Sequence, residues 1–180
     1  MSVCIALLRG VNVGGNSIIS MPRLRDAFVH AGYADTRTYI NSGNMLFSSE
    51  KSTEELQRIC RDIISKTSGL DVAVAVLTAE ELADALANAP EWWNKQDDSK
   101  HNAIFVIPPA TADSVCEEVG EIKPEYEKIY CHGKVIFWTA PIKTFSRTRW
   151  SRTSKLPVYQ QITIRNANTA ITLSRLAAGK

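Results

Sequence analysis

TRTYINSGNMLFS, residues 36–48, reads as two β-rich runs, Thr36 to Ile40 and Met45 to Ser48, on either side of Asn41, Ser42, Gly43 and Asn44. Branched and aromatic residues flanking a short stretch of turn formers predict an antiparallel hairpin. Moving outward from it, each side shows a helix and then a strand. Upstream, Ser20 caps a helix with Pro22 in its first turn; Leu24, Ala27, Phe28 and Ala31 line one face, and Gly32 ends it. Before that helix, Val3 to Leu8 is apolar on both pleat faces, the pattern of a central strand. Downstream, Ser52 and Glu55 form a capping box that opens an amphipathic helix carrying Leu56, Ile59, Cys60, Ile63 and Ile64, which Gly69 stops. Val72, Val74 and Val76 then alternate with alanines as a strand. Residues 1–77 thus predict a β-α-β-β-α-β unit, the ferredoxin-like arrangement, with two helices on one face of a four-stranded antiparallel sheet.

The order begins again after a helical linker over residues 78–101, in which a short capped helix from Thr78 to Ala89 precedes Pro90 and a polar stretch. Trp92 and Trp93 within it suit packing against a neighbouring half or stacking on a ligand. Ala103 to Ile107 reads as a strand, Thr111 to Gly120 as a helix, and Tyr126 to Cys131 with Lys134 to Thr139 as a hairpin turning at His132 and Gly133. A basic helical segment is expected from Pro141 to about Ser154, a last strand over Gln160 to Ile164, and a terminal helix over Asn168 to Ala178. The expected fold class is α+β: two ferredoxin-like halves, 1–77 and 102–180, with an extra C-terminal helix. The halves repeat in architecture without residue identity.

With 44% apolar and 22% charged residues, the chain has the composition of a globular protein. Its first apolar run is six residues long before Arg9, too short for a membrane span or a signal core, so no membrane association and a cytoplasmic location are expected. Cys4, Cys60, Cys116 and Cys131 stand far apart without a CxxC spacing, which argues against a metal site. Cys4 and Cys60 fall on core positions, as reduced cysteines commonly do. His30, His101 and His132 lack the company of a catalytic triad, and His132 reads as a turn residue. No residue identifies itself as a nucleophile or a base, no cofactor is indicated, and the sequence leaves open whether the protein is an enzyme.

Charge is more informative. All 19 acidic residues lie between Asp26 and Glu127, and from Lys128 to Lys180 there are ten lysines and arginines and no acid. Such a block predicts an anionic partner, a nucleic acid or a phosphate-bearing ligand. Within it, Arg147, Arg149, Trp150 and Arg152 are candidate nucleic-acid contacts and Ser154 and Lys155 candidate ligand contacts, since cations and hydroxyls suit phosphates and a tryptophan ring can stack on a base. A solvated helix face is the plainer alternative.

A second candidate lies in the first half. In the predicted topology the loop leaving the first strand and the hairpin share one end of the sheet. Arg9, Gly10, Asn12, Gly14 and Gly15 should therefore lie beside Asn41, Ser42, Gly43 and Asn44. Together they offer a guanidinium, carboxamides, a hydroxyl and glycine-exposed N–H groups to an oxyanion, with Ser20 at a helix N-terminus nearby. The alternative is local: glycines permit positive backbone angles, and asparagines satisfy turn backbone. Without a lysine followed by Ser or Thr it is no Walker motif.

The last candidate is Thr163, Arg165, Asn166, Asn168 and Thr169, where a strand yields to the terminal helix; one asparagine suits a helix cap, and Arg165 suits an anion or a carboxylate of the first half.

Four stretches, LLRGVNVGG at 7–15, Met21-Pro22, TYINSGN at 38–44 and TIRNANT at 163–169, together resemble the bacterial family catalogued as domain of unknown function 1697, and the resemblance runs almost end to end. It implies no reaction, because the family's activity is unassigned. The chain differs where the family often has a lysine after the Gly-Gly pair, here Asn16, and an aromatic residue inside the last motif, here Ala167. A phosphate- or nucleic-acid-binding module is therefore the leading expectation. An enzyme acting on a small phosphorylated or carboxylated metabolite and a protein-assembly module are the alternatives.

Overall fold

A computed structural model describes residues 1–179, which group into two compact units: residues 1–82 together with the C-terminal segment from Leu173, and Ala83–Thr172. In the first unit, β1 (Ser2–Leu8), α1 (Met21–His30), β2 (Ala34–Thr38), β3 (Asn44–Ser49), α2 (Thr53–Ser68) and β4 (Val74–Thr78) follow one another as β-α-β-β-α-β. The sheet order is β2-β3-β1-β4 with every neighbouring pair antiparallel. Ser20 caps α1 and Ser52 caps α2. Glu55 does not reach back to complete a capping box; its carboxylate pairs with Lys51 at 2.6 Å. On one face of the sheet Cys4, Ala6, Leu8, Met45, Phe47 and Val76 pack under Leu24, Phe28, Leu56, Cys60 and Ile64. The alternate residues Ile5, Leu7, Leu46 and Leu77 are buried as well, which explains why these strands read as continuous apolar runs.

After α3 (Ala79–Ala87), the second unit contains β5 (Ser99–Val106), α4 (Ala112–Val119), β6 (Lys128–His132), β7 (Val135–Pro141) and β8 (Ile162–Asn166); α5 (Ala167–Ala177) starts in it and from Leu173 groups with the first unit. Its sheet order, β6-β7-β5-β8, repeats that of the first, again fully antiparallel. Ile104, Val106, Ile136 and Trp138 form a core with Val115, Val119, Trp150 and Val158. The protein is thus α+β with two topologically repeated halves and a C-terminal helix.

The expected basic helix after Pro141 is corrected by the structure. Three 3-10 segments, Ile142–Arg147, Trp150–Lys155 and Pro157–Gln161, stand where the first half has α2. Local hydroxyl bonds reinforce these turns. Thr148 Oγ1 donates to the Phe145 carbonyl, Ser151 Oγ to Thr148 and Thr153 Oγ1 to Trp150, each three residues back, at 2.7, 3.1 and 2.8 Å. The backbone bonds close three residues back as well, from Thr148 N–H to Phe145, Arg152 N–H to Arg149 and Leu156 N–H to Thr153, which is the spacing of a 3-10 turn.

Candidate functional site

The loop after β1 and the β2–β3 hairpin are neighbours, as the topology predicts. Leu8 N–H donates to the Gly43 carbonyl at 2.8 Å, and Asn12 Nδ2 donates to the Asn41 carbonyl at 2.7 Å and to that of Ile19 at 3.0 Å. Asn12 Oδ1 in turn accepts from Ile19 N–H at 2.8 Å. Asn44, fully buried, donates to the Tyr39 carbonyl and the Ser42 hydroxyl. Two of the carboxamides nominated for a ligand are therefore engaged internally: Asn12 braces the loop against the hairpin, and Asn44 bonds within the hairpin itself. Gly43 has a close-approach role, because a Cβ there would stand 2.4 Å from Val11 Cγ2. Gly10, Gly14 and Gly15 all have positive φ and open space where a side chain would be, so backbone conformation alone accounts for them. The exposed outer part of the loop presents Val13 and Ile18, and Ile40 of the hairpin is exposed beside Asn41.

The basic segment is built differently from its sequence reading. Trp150 is only 2% exposed and packs near Trp138, 6.4 Å between ring centroids, so no face of its ring is open to a base. Arg149 lies along the end of α4: its Nε donates to the Val119 carbonyl at 2.6 Å, and its guanidinium fills the space beside Gly120. The backbone N–H groups of Arg149, Trp150 and Lys123 all donate to the buried carboxylate of Glu127, at 2.7, 3.2 and 3.1 Å. Lys143, Arg147, Arg152, Ser154 and Lys155 are exposed. Arg147 lies over the Tyr126 ring at 5.8 Å.

Folding also redistributes the charge. The acids of α4 and of the connection that follows it belong to the same unit as the basic segment, so that unit holds eleven cations and ten acids, and the other ten and nine. The asymmetry along the chain is thus nearly balanced within each unit.

In the C-terminal motif, Asn166 caps α5, its Oδ1 accepting from Thr169 N–H at 2.8 Å. Arg165 is buried on β8 and donates to Thr163 Oγ1 and the Ile164 carbonyl. Burial pulls its pKa down to about 10. Asn166 and Asn168 border an open polar depression of about 290 Å³ with Asn94, Gln96, Asp97 and His101, and among the described residues no lysine or arginine lines it. His101 organises its rim: the ring nitrogens meet the N–H of Asn94 and the carbonyl of Gln96 at 3.0 and 2.8 Å, and Thr139 Oγ1 at 2.8 Å.

Three participants carry no signal in the sequence: Glu127 as the anchor of the basic turns, His132 paired through Nε2 with Asp84 at 2.7 Å, and the Cys116–Cys131 neighbours at 3.4 Å. Each depends on partners 15 to 48 residues away, a separation that no local pattern encodes. Among the described residues no group of three or more His, Cys, Asp or Glu is placed to hold a metal ion, and no helix is long and apolar enough to cross a membrane.

Against known proteins, the family model for a protein of unknown function, DUF1697, matches residues 1–137. The chain belongs to the DUF1697 family. A solved structure of the conserved bacterial protein SP0830 from Streptococcus pneumoniae superposes with a TM-score of 0.87 at 28% sequence identity, covering 98% of each chain. The superposition thus spans residues of both units of this DUF1697 protein. No curated protein sequence matches the chain.

Proposed function

We propose that this DUF1697 protein binds a polyanion, with nucleic-acid phosphates as the ligand chemistry, through the exposed cations of the 3-10 turns between Lys143 and Lys155. One contrast supports this. In the first unit Arg25, Lys51, Arg61 and Lys66 each lie 2.6–2.7 Å from a carboxylate. Lys143, Arg147, Arg152 and Lys155 are also exposed, and among the described residues none has an ion-pair partner; exposed Arg23 and Arg58 of the first unit share that state but stand singly on separate helices, whereas these four fall within one short segment. Exposed cations left without local carboxylates are held available for an external anion. Their backbone is already ordered by the hydroxyl-to-carbonyl bonds and by Glu127, so less conformational entropy is lost on binding. With Trp150 buried and Arg149 anchored, the contacts go to the phosphate backbone, and binding is expected to be indifferent to base sequence.

Fluorescence anisotropy with a labelled duplex oligonucleotide tests this. Four cations meeting phosphates give a log–log salt slope of about −3 to −4. Arg147→Glu with Arg152→Glu should weaken binding at least about tenfold at low salt and flatten the slope by about 2. Binding that is absent at about 50 mM salt, or unchanged in the double variant, excludes the proposal.

A further inference from the structure

We propose that Cys116 and Cys131 constitute a reversible dithiol–disulfide site that fastens α4 to the edge strand β6. The two sulfurs are 3.4 Å apart across 15 residues of chain. A bonded pair sits at about 2.05 Å, so closure calls for roughly 1.4 Å of approach. Both side chains are partly exposed, within reach of a small reagent, whereas Cys4 and Cys60 are fully buried in the core of the first unit. The hydrogen bond between the two thiols pulls the Cys131 thiol below its ordinary pKa and holds Cys116 above it. Sulfurs this close can exchange in either order; with Cys131 as the attacking sulfur, Cys116 is the resolving one. In the core the contrast is complete: burial pushes the Cys60 thiol up to about 12.

With a low-molecular-weight disulfide as oxidant, the Cys131 thiolate attacks one sulfur of the reagent, forming a mixed disulfide and expelling one thiolate. Cys116 gives up its proton and attacks the Cys131 sulfur, forming the Cys116–Cys131 bond and expelling the second thiolate. Two protein S–H bonds and one reagent S–S bond are replaced by one protein S–S bond and two reagent S–H bonds, and two electrons pass to the reagent.

The bond would close the connection that ends α4 and leads into β6. That connection carries Glu127, to which Arg149 and Trp150 are bound, and it follows directly on Val119, whose carbonyl accepts from Arg149 Nε. The site does not depend on the basic turns binding an anion.

The full-length protein, equilibrated natively in glutathione buffers of graded ratio, acid-quenched, alkylated and mapped by mass spectrometry, decides the matter. The expected result is a single cross-link joining the peptides that bear Cys116 and Cys131, reversed by dithiothreitol, with Cys4 and Cys60 alkylated only after unfolding. In Cys116→Ser the link should vanish completely and Cys131 should accumulate as a glutathione adduct. A pair that stays reduced at the oxidising limit, or that yields only separate glutathione adducts, overturns the proposal. Because the decisive map is made on the unsubstituted protein, it stands even where a serine variant fails to fold.

Discussion

At the scale of single residues, glycine and asparagine in the first unit act through geometry. Gly43 combines a φ of 86° with a Cβ position 2.4 Å from Val11 and 2.8 Å from Leu8. Gly43→Ala should destabilise the protein by about 3 kcal/mol or more, read from urea unfolding, since left-handed strain and overpacking add. Asn12 is held at φ 54° by bonds to Asn41 and Ile19, so Asn12→Ala should cost about 2 kcal/mol and leave nucleic-acid affinity unchanged. Cys60 supplies a pH signature. Burial raises its folded pKa from 9.0 to about 12, so the unfolded chain gains a thiolate that the folded one withholds. The associated stability is complete below pH 9 and is lost as pH rises from 9 towards 12. Comparing chemical denaturation of the parent with Cys60→Ala across that window should show a shallower decline in the variant. Of these residues, the motif at 38–44 showed where the turn was; that Asn12 and Asn44 are engaged internally is settled by distances to backbone 5 to 29 residues away.

Among the elements, the regular ones were legible and the irregular one was not. The helices α1 and α2 announce themselves by apolar spacing and caps, which are local properties. The segment after Pro141 has neither an uninterrupted apolar stripe nor the usual stop signals, and its serines and threonines reinforce the tight turns by bonding to carbonyls three residues back. Glu127 is the other organiser of this segment. Glu127→Gln should cost about 1–2 kcal/mol, because a carboxylate accepting three backbone N–H groups becomes a neutral amide that cannot accept them all as well. Tryptophan fluorescence reports this directly, as all four tryptophans lie in the second unit. The same signal should show a disulfide between Cys116 and Cys131 raising stability by about 3 kcal/mol, the value expected for a loop of roughly that length.

For the molecule as a whole, the C-terminal segment from Leu173 groups with the first unit, where Leu173 is fully buried and the Arg37 guanidinium donates to the Leu176 carbonyl. Ending the chain after Thr172 should therefore loosen the first unit. Native-state reaction of Cys60 with a thiol reagent should accelerate by about tenfold or more, as local opening becomes easier. What the sequence by itself determined was the pair of β-α-β-β-type repeats and the family, because strand alternation, helix caps and turn glycines are written within a few residues of one another. Tertiary structure alone decided which polar residues remain available. Side chains separated by tens of residues compete for the same backbone groups and the same interior volume, and that competition buried Trp150, engaged Asn12 and Asn44, and left Lys143, Arg147, Arg152 and Lys155 facing solvent.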